Sequence, residues 1–173
     1  MRKHMKKVAL LLACCLLTAL TSGNGPPLSV AEDLVGLWKL VRIEVHQPNG
    51  RITPDPDLGP HAVGYIFYDS TGHMGAQLMN PDRPKWKSEE TPTPDEAMAS
   101  ISGYDAYSGT YEVHASEGYV VHHPEVSLDP KGVGQAWKRK FELSGNQLRL
   151  TPPPWKSYGG ETLDETLVWE RVR

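Results

Sequence analysis

The side chains best suited to chemistry in this sequence are a few histidines and one arginine set among aromatic and β-branched residues. His73, His122 and His123 fall in runs that read as strands, whereas His46, His61 and His114 fall at strand ends or in loops. A histidine on the wall of a dry cavity can accept a proton, while a nearby carboxylate or phenol orients the substrate's polar group. For an enzyme, His73, His123 and Glu125 are the candidate acid–base residues; for a binding protein, Tyr65, Tyr111, Trp137 and Arg139 are the candidate ligand-binding residues. Neighbouring strand residues face opposite sides, so His122 and His123 cannot both point inward. Strand parity groups His123 with Tyr119, Val121 and Glu125, and His122 with Val120, Val126 and Leu128, and leaves open which set is inside. The fork of Arg139 suits bidentate pairing with the carboxylate of an acidic apolar ligand. The competing and commoner outcome is a buried hydrogen-bonded network that only fixes the fold.

Other chemistries lack their signatures. There is no His-Glu-x-x-His, no carboxylate-rich loop and no cysteine pair outside the first residues, so no metal is expected. No serine sits in a Gly-x-Ser-x-Gly elbow. Gly132-Val133-Gly134 lacks the third glycine and following helix of a dinucleotide site, so no cofactor is expected either. Trp86, Tyr104, Tyr107, Trp155 and Tyr158 gather in and around loops, where they could line a pocket mouth or cap the fold.

The elements that must position these groups are strands. Short runs rich in Val, Ile, Leu and aromatics, at 37–46, 63–69, 73–79, 107–114, 119–128, 135–143, 147–151 and 162–172, alternate with turns. Asn49-Gly50, Thr71-Gly72, Glu117-Gly118 and Gly145-Asn146 supply turn residues that tolerate positive φ. The run around Arg139 alternates most clearly: Trp137, Arg139, Phe141 and Leu143 share one face, expected inward, and Lys138, Lys140 and Glu142 the other. Buried among apolar neighbours, Arg139 then needs a partner. Residues 80–102 break the pattern with their prolines, and 94–101 reads as a proline-started helix in a long loop, either a lid or passive cover. Eight antiparallel strands joined mostly by hairpins predict an all-β up-and-down barrel, filled with side chains or holding one small ligand.

The chain opens with Arg2, Lys3, Lys6 and Lys7, an apolar run at 8–20 and the small cluster Thr21-Ser22-Gly23, the layout of a secretory signal peptide over residues 1–23. A short tether at 24–35, with a possible helical turn at 30–35, then leads into a barrel domain at 36–173. Leu11-Leu12-Ala13-Cys14 also has the form of a lipobox, which makes lipid anchoring the second choice behind a soluble periplasmic or secreted protein. Both cysteines, Cys14 and Cys15, lie inside the leader, so the mature chain would hold no disulfide. The whole chain carries 18 basic and 21 acidic residues; losing the leader's four basic residues leaves 14 against 21, a formal charge of −7. An acidic exported domain is a poor partner for nucleic acid, and no second apolar stretch predicts a membrane span.

Gly36-Leu37-Trp38 resembles the opening motif of the lipocalin, or calycin, superfamily, glycine-any-tryptophan on the first strand. That resemblance implies that Trp38 plugs one barrel end beneath a basic residue of the last strand, here Arg171. Gly64-Tyr65-Ile66, Gly72-His73-Met74, Met79-Asn80-Pro81-Asp82-Arg83-Pro84, Gly109-Thr110-Tyr111-Glu112-Val113, His122-His123 and Leu167-Val168-Trp169-Glu170-Arg171 extend it to the bacterial and fungal lipocalin-like domain family. Members of the wider superfamily carry hydrophobic small molecules, and some lipocalin-like relatives in specialised metabolism act as cyclases, hydratases or cycloaddition catalysts. Such a fold does not fix a function. The first expectation is an exported barrel that binds a small, largely apolar molecule; the alternative is a cofactor-free isomerase, cyclase or hydratase acting in the same cavity. A barrel packed solid would leave function to its surface.

Overall fold

A computed structural model describes residues 30–173; the leader, the lipobox and both cysteines lie outside the described residues. The strands are β1 (Gly36–His46), β2 (Ile52–Thr53), β3 (Val63–Tyr68), β4 (His73–Met79), β5 (Tyr104–His114), β6 (Tyr119–Ser127), β7 (Trp137–Ser144), β8 (Gln147–Thr151), β9 (Trp155–Lys156), β10 (Thr162–Leu163) and β11 (Glu165–Arg171). Two short α-helices accompany them, α1 (Val30–Leu34) and α2 (Pro94–Ser102). The order β11-β8-β7-β6-β5-β4-β3-β1 is antiparallel throughout, and pairing of β11 with β1 closes it into an eight-stranded barrel that leaves no long free edge. β2 pairs only with the end of β1, and β9 with β10 forms a separate small hairpin. Residues 162–172 are therefore not one strand: Thr162 and Leu163 pair locally with β9, and the barrel strand starts at Glu165.

Apolar residues at alternate positions fill the interior, among them Leu40, Ile66, Met74, Leu78, Val120 and Leu148. Two bulges shift the alternation. On β1, Val41 is the extra residue between Leu40 and Arg42, so Ile43 and Val45 follow Trp38 and Leu40 inward. On β6, Ser108 pairs with Val126 and Gly109 with Pro124, which leaves Glu125 as the extra residue. A Cβ on Gly109 would lie 2.0 Å from the His123 carbonyl oxygen, so only glycine fits at this crossing.

Trp38 and Arg171 close one end. They are register partners, and the Arg171 guanidinium lies 4.1 Å from the Trp38 ring centroid, a cation–π contact. Arg171 also donates to the carbonyls of Val35, at 2.7 Å, and Asp33, while the Trp38 indole N–H donates to the Leu34 carbonyl at 2.9 Å. Residues 31–35, expected as tether, are thus tied onto the barrel end, with Leu34 fully buried. Gly36 makes this possible: its φ of +142° suits glycine, and a Cβ there would strike Arg171 at 2.6 Å.

The excursion after β4 is braced on itself. Thr93 and Glu96 form a reciprocal capping box ahead of Pro94, and Glu96 also accepts the Lys87 N–H at 3.0 Å. Arg83 donates to the carbonyls of Asn80 and Ser100 and stacks 5.2 Å from the Tyr104 ring centroid, which ties the segment to the start of β5.

Candidate functional site: the polar inner wall

Inward positions on β3, β5, β6 and β7 bring a polar cluster into the apolar interior. Tyr68 follows Ile66 inward, Tyr111 is the register partner of His122, and His122 that of Trp137. His122 is 0 % exposed; its Nε2 lies 2.8 Å from the Tyr68 hydroxyl and its Nδ1 3.0 Å from that of Tyr107. A neutral imidazole has one donor and one acceptor nitrogen, so one phenol donates to the ring and the other accepts from it. Burial, reinforced by the charge of Arg139 and by His123, holds the His122 pKa well below 6.5, so the ring is neutral at physiological pH. Burial also drives the Tyr68 phenol well above 10, and raises Tyr107 against the pull of Arg139. Tyr68, His122 and Tyr107 are a neutral chain in which both imidazole nitrogens are paired. Tyr111 stands edge-on to Tyr68 at 4.9 Å and donates to the Asp69 carbonyl at 2.7 Å; Trp137 stands edge-on to Tyr107 at 4.9 Å.

Arg139 is half-buried beside this chain. Its guanidinium lies 5.5 Å from the Trp137 ring centroid, reaches the Tyr107 phenol, and spends one weak bond, 3.3 Å, on the Lys138 carbonyl. Among the described residues no ion pair engages it. Its field reaches Asp105 on the same wall, where burial nevertheless raises the carboxyl pKa. A second inner-wall donor, the indole N–H of the buried Trp169, has no acceptor.

The interior is not uniformly filled. Inward residues of β1, β3, β4 and β8 are buried, whereas Asp105, Tyr111, Val113, Trp137, Arg139 and Phe141 retain partial solvent access. A cleft of about 360 Å³ reaches Phe141 and Leu143 from the plugged end, beside Asp33 and Arg171. A second cleft, of about 520 Å³, lies on the flank between β1 and residues 52–63, away from the polar chain.

Of the residues singled out in the sequence, Tyr111, Trp137 and Arg139 meet on the inner wall; the others do not. His73 sits at a turn, its side chain 59 % exposed and bonded to Thr71 at 2.8 Å. His123 faces outward, 3.5 Å from the Glu112 carboxylate, and Glu125 is exposed at the bulge. Tyr65 is 49 % exposed on the outer face of β3. The inward member of the His122–His123 pair is His122, with Val120 and Pro124; Val126 and Leu128 do not follow it because Glu125 interrupts the pleat. Tyr68 and Asp105 are not among the residues the sequence singles out, and Tyr107, read there as an aromatic of a pocket mouth or barrel cap, bonds His122 inside the barrel. Tyr68 shares a strand face with Ile66, but Val63, Tyr65 and Phe67 on the other face are as apolar, so alternation does not single it out, and nothing local marks Asp105.

A closed eight-stranded antiparallel barrel with a tryptophan–arginine plug and a polar patch on its inner wall defines a lipocalin-like class of fold. The chain belongs to the lipocalin-like domain family, whose model matches residues 35–172. Among solved structures it is similar to a lipocalin-like protein from Bacteroides uniformis ATCC 8492, at 14 % identity and TM-score 0.41 over 81 % of this chain and 99 % of that one. It is also similar to an uncharacterized protein from Bacteroides eggerthii DSM 20697, at 16 % identity and TM-score 0.38 over 81 % of this chain and all of that one. No curated protein matches significantly. Among the described residues, no helix is long and apolar enough to cross a membrane.

Proposed function

We propose that this is an exported barrel that binds a small, largely apolar molecule bearing a carboxylate or carbonyl group. The observation that carries the reading is Arg139, a half-buried cation on the inner wall that has no ion pair among the described residues. Such a charge is stabilised by an anionic or strongly accepting partner, and the Trp169 indole, also lacking an acceptor, points to the same ligand chemistry. Trp137, Tyr111 and Phe141 supply apolar surface around that group. Export rests on the leader-like first residues. Of the titratable groups on this wall that an isomerase, cyclase or hydratase could use, His122 is already paired on both ring nitrogens, and the Asp105 carboxyl, raised by burial, lies in the field of Arg139. Native mass spectrometry of protein purified from its own host, before and after denaturation, tests the proposal. Release of a stoichiometric acidic or carbonyl compound is expected; a bound molecule with neither group would refute it.

A further inference from the structure

Two segments that contribute no barrel strand, residues 47–62 and 152–164, lie at the barrel end away from the Trp38 plug, next to the 80–103 excursion, whose Asn80 amide donates to the Asp57 carbonyl at 3.3 Å. Leu58 and Leu163 seat them in the core, and the Tyr158 N–H donates to the Asp57 carboxylate at 3.1 Å, joining one segment to the other. Their common anchor on the barrel is a pair of carboxyls. Asp55, 2 % exposed, accepts the N–H groups of Asp57 and Leu58 on Oδ1 at 2.8 and 2.7 Å. Glu165, 6 % exposed at the start of β11, accepts the Trp155 indole N–H on Oε1 at 2.9 Å. The remaining oxygens, Asp55 Oδ2 and Glu165 Oε2, are buried with no N–H or hydroxyl to bond them among the described residues. The two carboxyls are within reach of a hydrogen bond with each other.

Two ionised carboxylates in that position repel; one proton between them replaces the repulsion with a charge-assisted O–H···O⁻ bond. We infer that Asp55 and Glu165 share one proton that latches both covering segments over the barrel end, and that losing this proton opens the end toward the Arg139 wall. The latch stands on its own geometry; its role in admitting a ligand rests on the binding function proposed above.

The surrounding charges are few. Asp57 faces Asp55 from its own segment, and Arg139 acts on Glu165 across the interior. From β1, Val45 is the register partner of Glu165, the His46 imidazole is engaged with Thr166, and the His46 N–H holds the Asp164 carbonyl. The positive charge of Arg139 opposes a proton on Glu165, and burial and the charge of Asp55 outweigh it. Burial first, then the charge of Asp55, raise Glu165 to about 7, and burial raises Asp55 as well, so the proton leaves near neutrality.

Hydrogen exchange read as protection factors, which divide out the intrinsic pH effect, tests this on the intact protein. Between about pH 6 and pH 8.5, protection over 52–62 and 155–163 should fall roughly tenfold while the barrel strands stay unchanged. In Glu165→Gln the amide nitrogen can donate to Asp55 while the amide oxygen keeps the Trp155 bond, so protection should stay flat with pH; Asp55→Asn is the second variant should the first fold poorly. Wild-type protection that does not change, or a Gln variant with the wild-type pH dependence, overturns the latch. Exchange that responds as expected while dodecanoate binds at neither pH leaves the latch standing and removes the ligand reading.

Discussion

Tyr68→Phe deletes one oxygen and nothing else, and its consequence follows from burial. The lost contact is the 2.8 Å bond to His122 Nε2, in a site where both residues are essentially inaccessible to water. With no solvent to replace the phenol, the ring nitrogen is left unpaired, which costs about 1–3 kcal/mol rather than the smaller net value of an exposed hydrogen bond. Tyr111→Phe is the internal control. Its hydroxyl bond to the Asp69 carbonyl, 2.7 Å, is only part-buried, so water can take over and the cost should stay below about 1 kcal/mol. Urea unfolding followed by tryptophan fluorescence measures both, with an unchanged m-value as the check that only stability moved. A Tyr68→Phe protein within about 0.5 kcal/mol of wild type would refute the claim that His122 is dry and paired on both ring nitrogens.

Further predictions follow from the plug, the bulge and the buried titrating groups. Arg171→Ala removes the contact with Trp38 and two bonds to residues 33–35, and should cost roughly 2–4 kcal/mol by the same unfolding assay. Gly109→Ala drives a methyl group into the His123 carbonyl, and should cost about 3 kcal/mol or more. Between about pH 4.5 and 6.5 two groups act in opposite directions on stability. His122, held below 6.5, takes up a proton only on unfolding, so its contribution is lost as pH falls below 6.5; Glu165, held near 7, keeps its proton when folded, so its contribution is present below 4.5 and is lost as pH rises through 7. The Glu165 displacement from 4.5 to about 7 corresponds to roughly 3 kcal/mol. Glu165→Gln should therefore leave the His122 limb uncompensated, with stability rising as pH approaches 6.5 and no fall toward pH 8; a stability profile parallel to wild type would contradict the Glu165 assignment.

The barrel was legible because its signals are local. Period-two runs such as Trp137, Arg139, Phe141 and Leu143, bounded by Gly-containing turns, specify a strand and its inner face without distant contacts. The proline-started helix was readable for the same reason, since Thr93, Pro94 and Glu96 carry their own cap. The candidate site was less legible. A single bulge at Glu125 changes which face later residues occupy; its one local signal is Pro124, a residue that strands hold at edges and bulges, and the close approach of Gly109 across the sheet, which accompanies it, leaves no mark in 119–128. His73 and Tyr65 read as strand residues correctly, but inner and outer faces of a strand with apolar side chains on both cannot be told apart by alternation: Val63, Tyr65 and Phe67 are exposed, Ile66 and Tyr68 buried. The Asp55–Glu165 contact joins residues far apart in the chain through two-residue pairings, too short to leave a pattern.

Calorimetric titration of the leader-less protein and its Arg139→Gln variant with dodecanoate and dodecanol tests the binding reading most directly. Wild type should take up one dodecanoate and prefer it over the alcohol by roughly tenfold to a hundredfold, the value of a charge-assisted pair, with the preference lost in Arg139→Gln. Equal affinity for acid and alcohol, or a preference that survives removal of Arg139, would contradict the assignment of this inner wall as the binding surface.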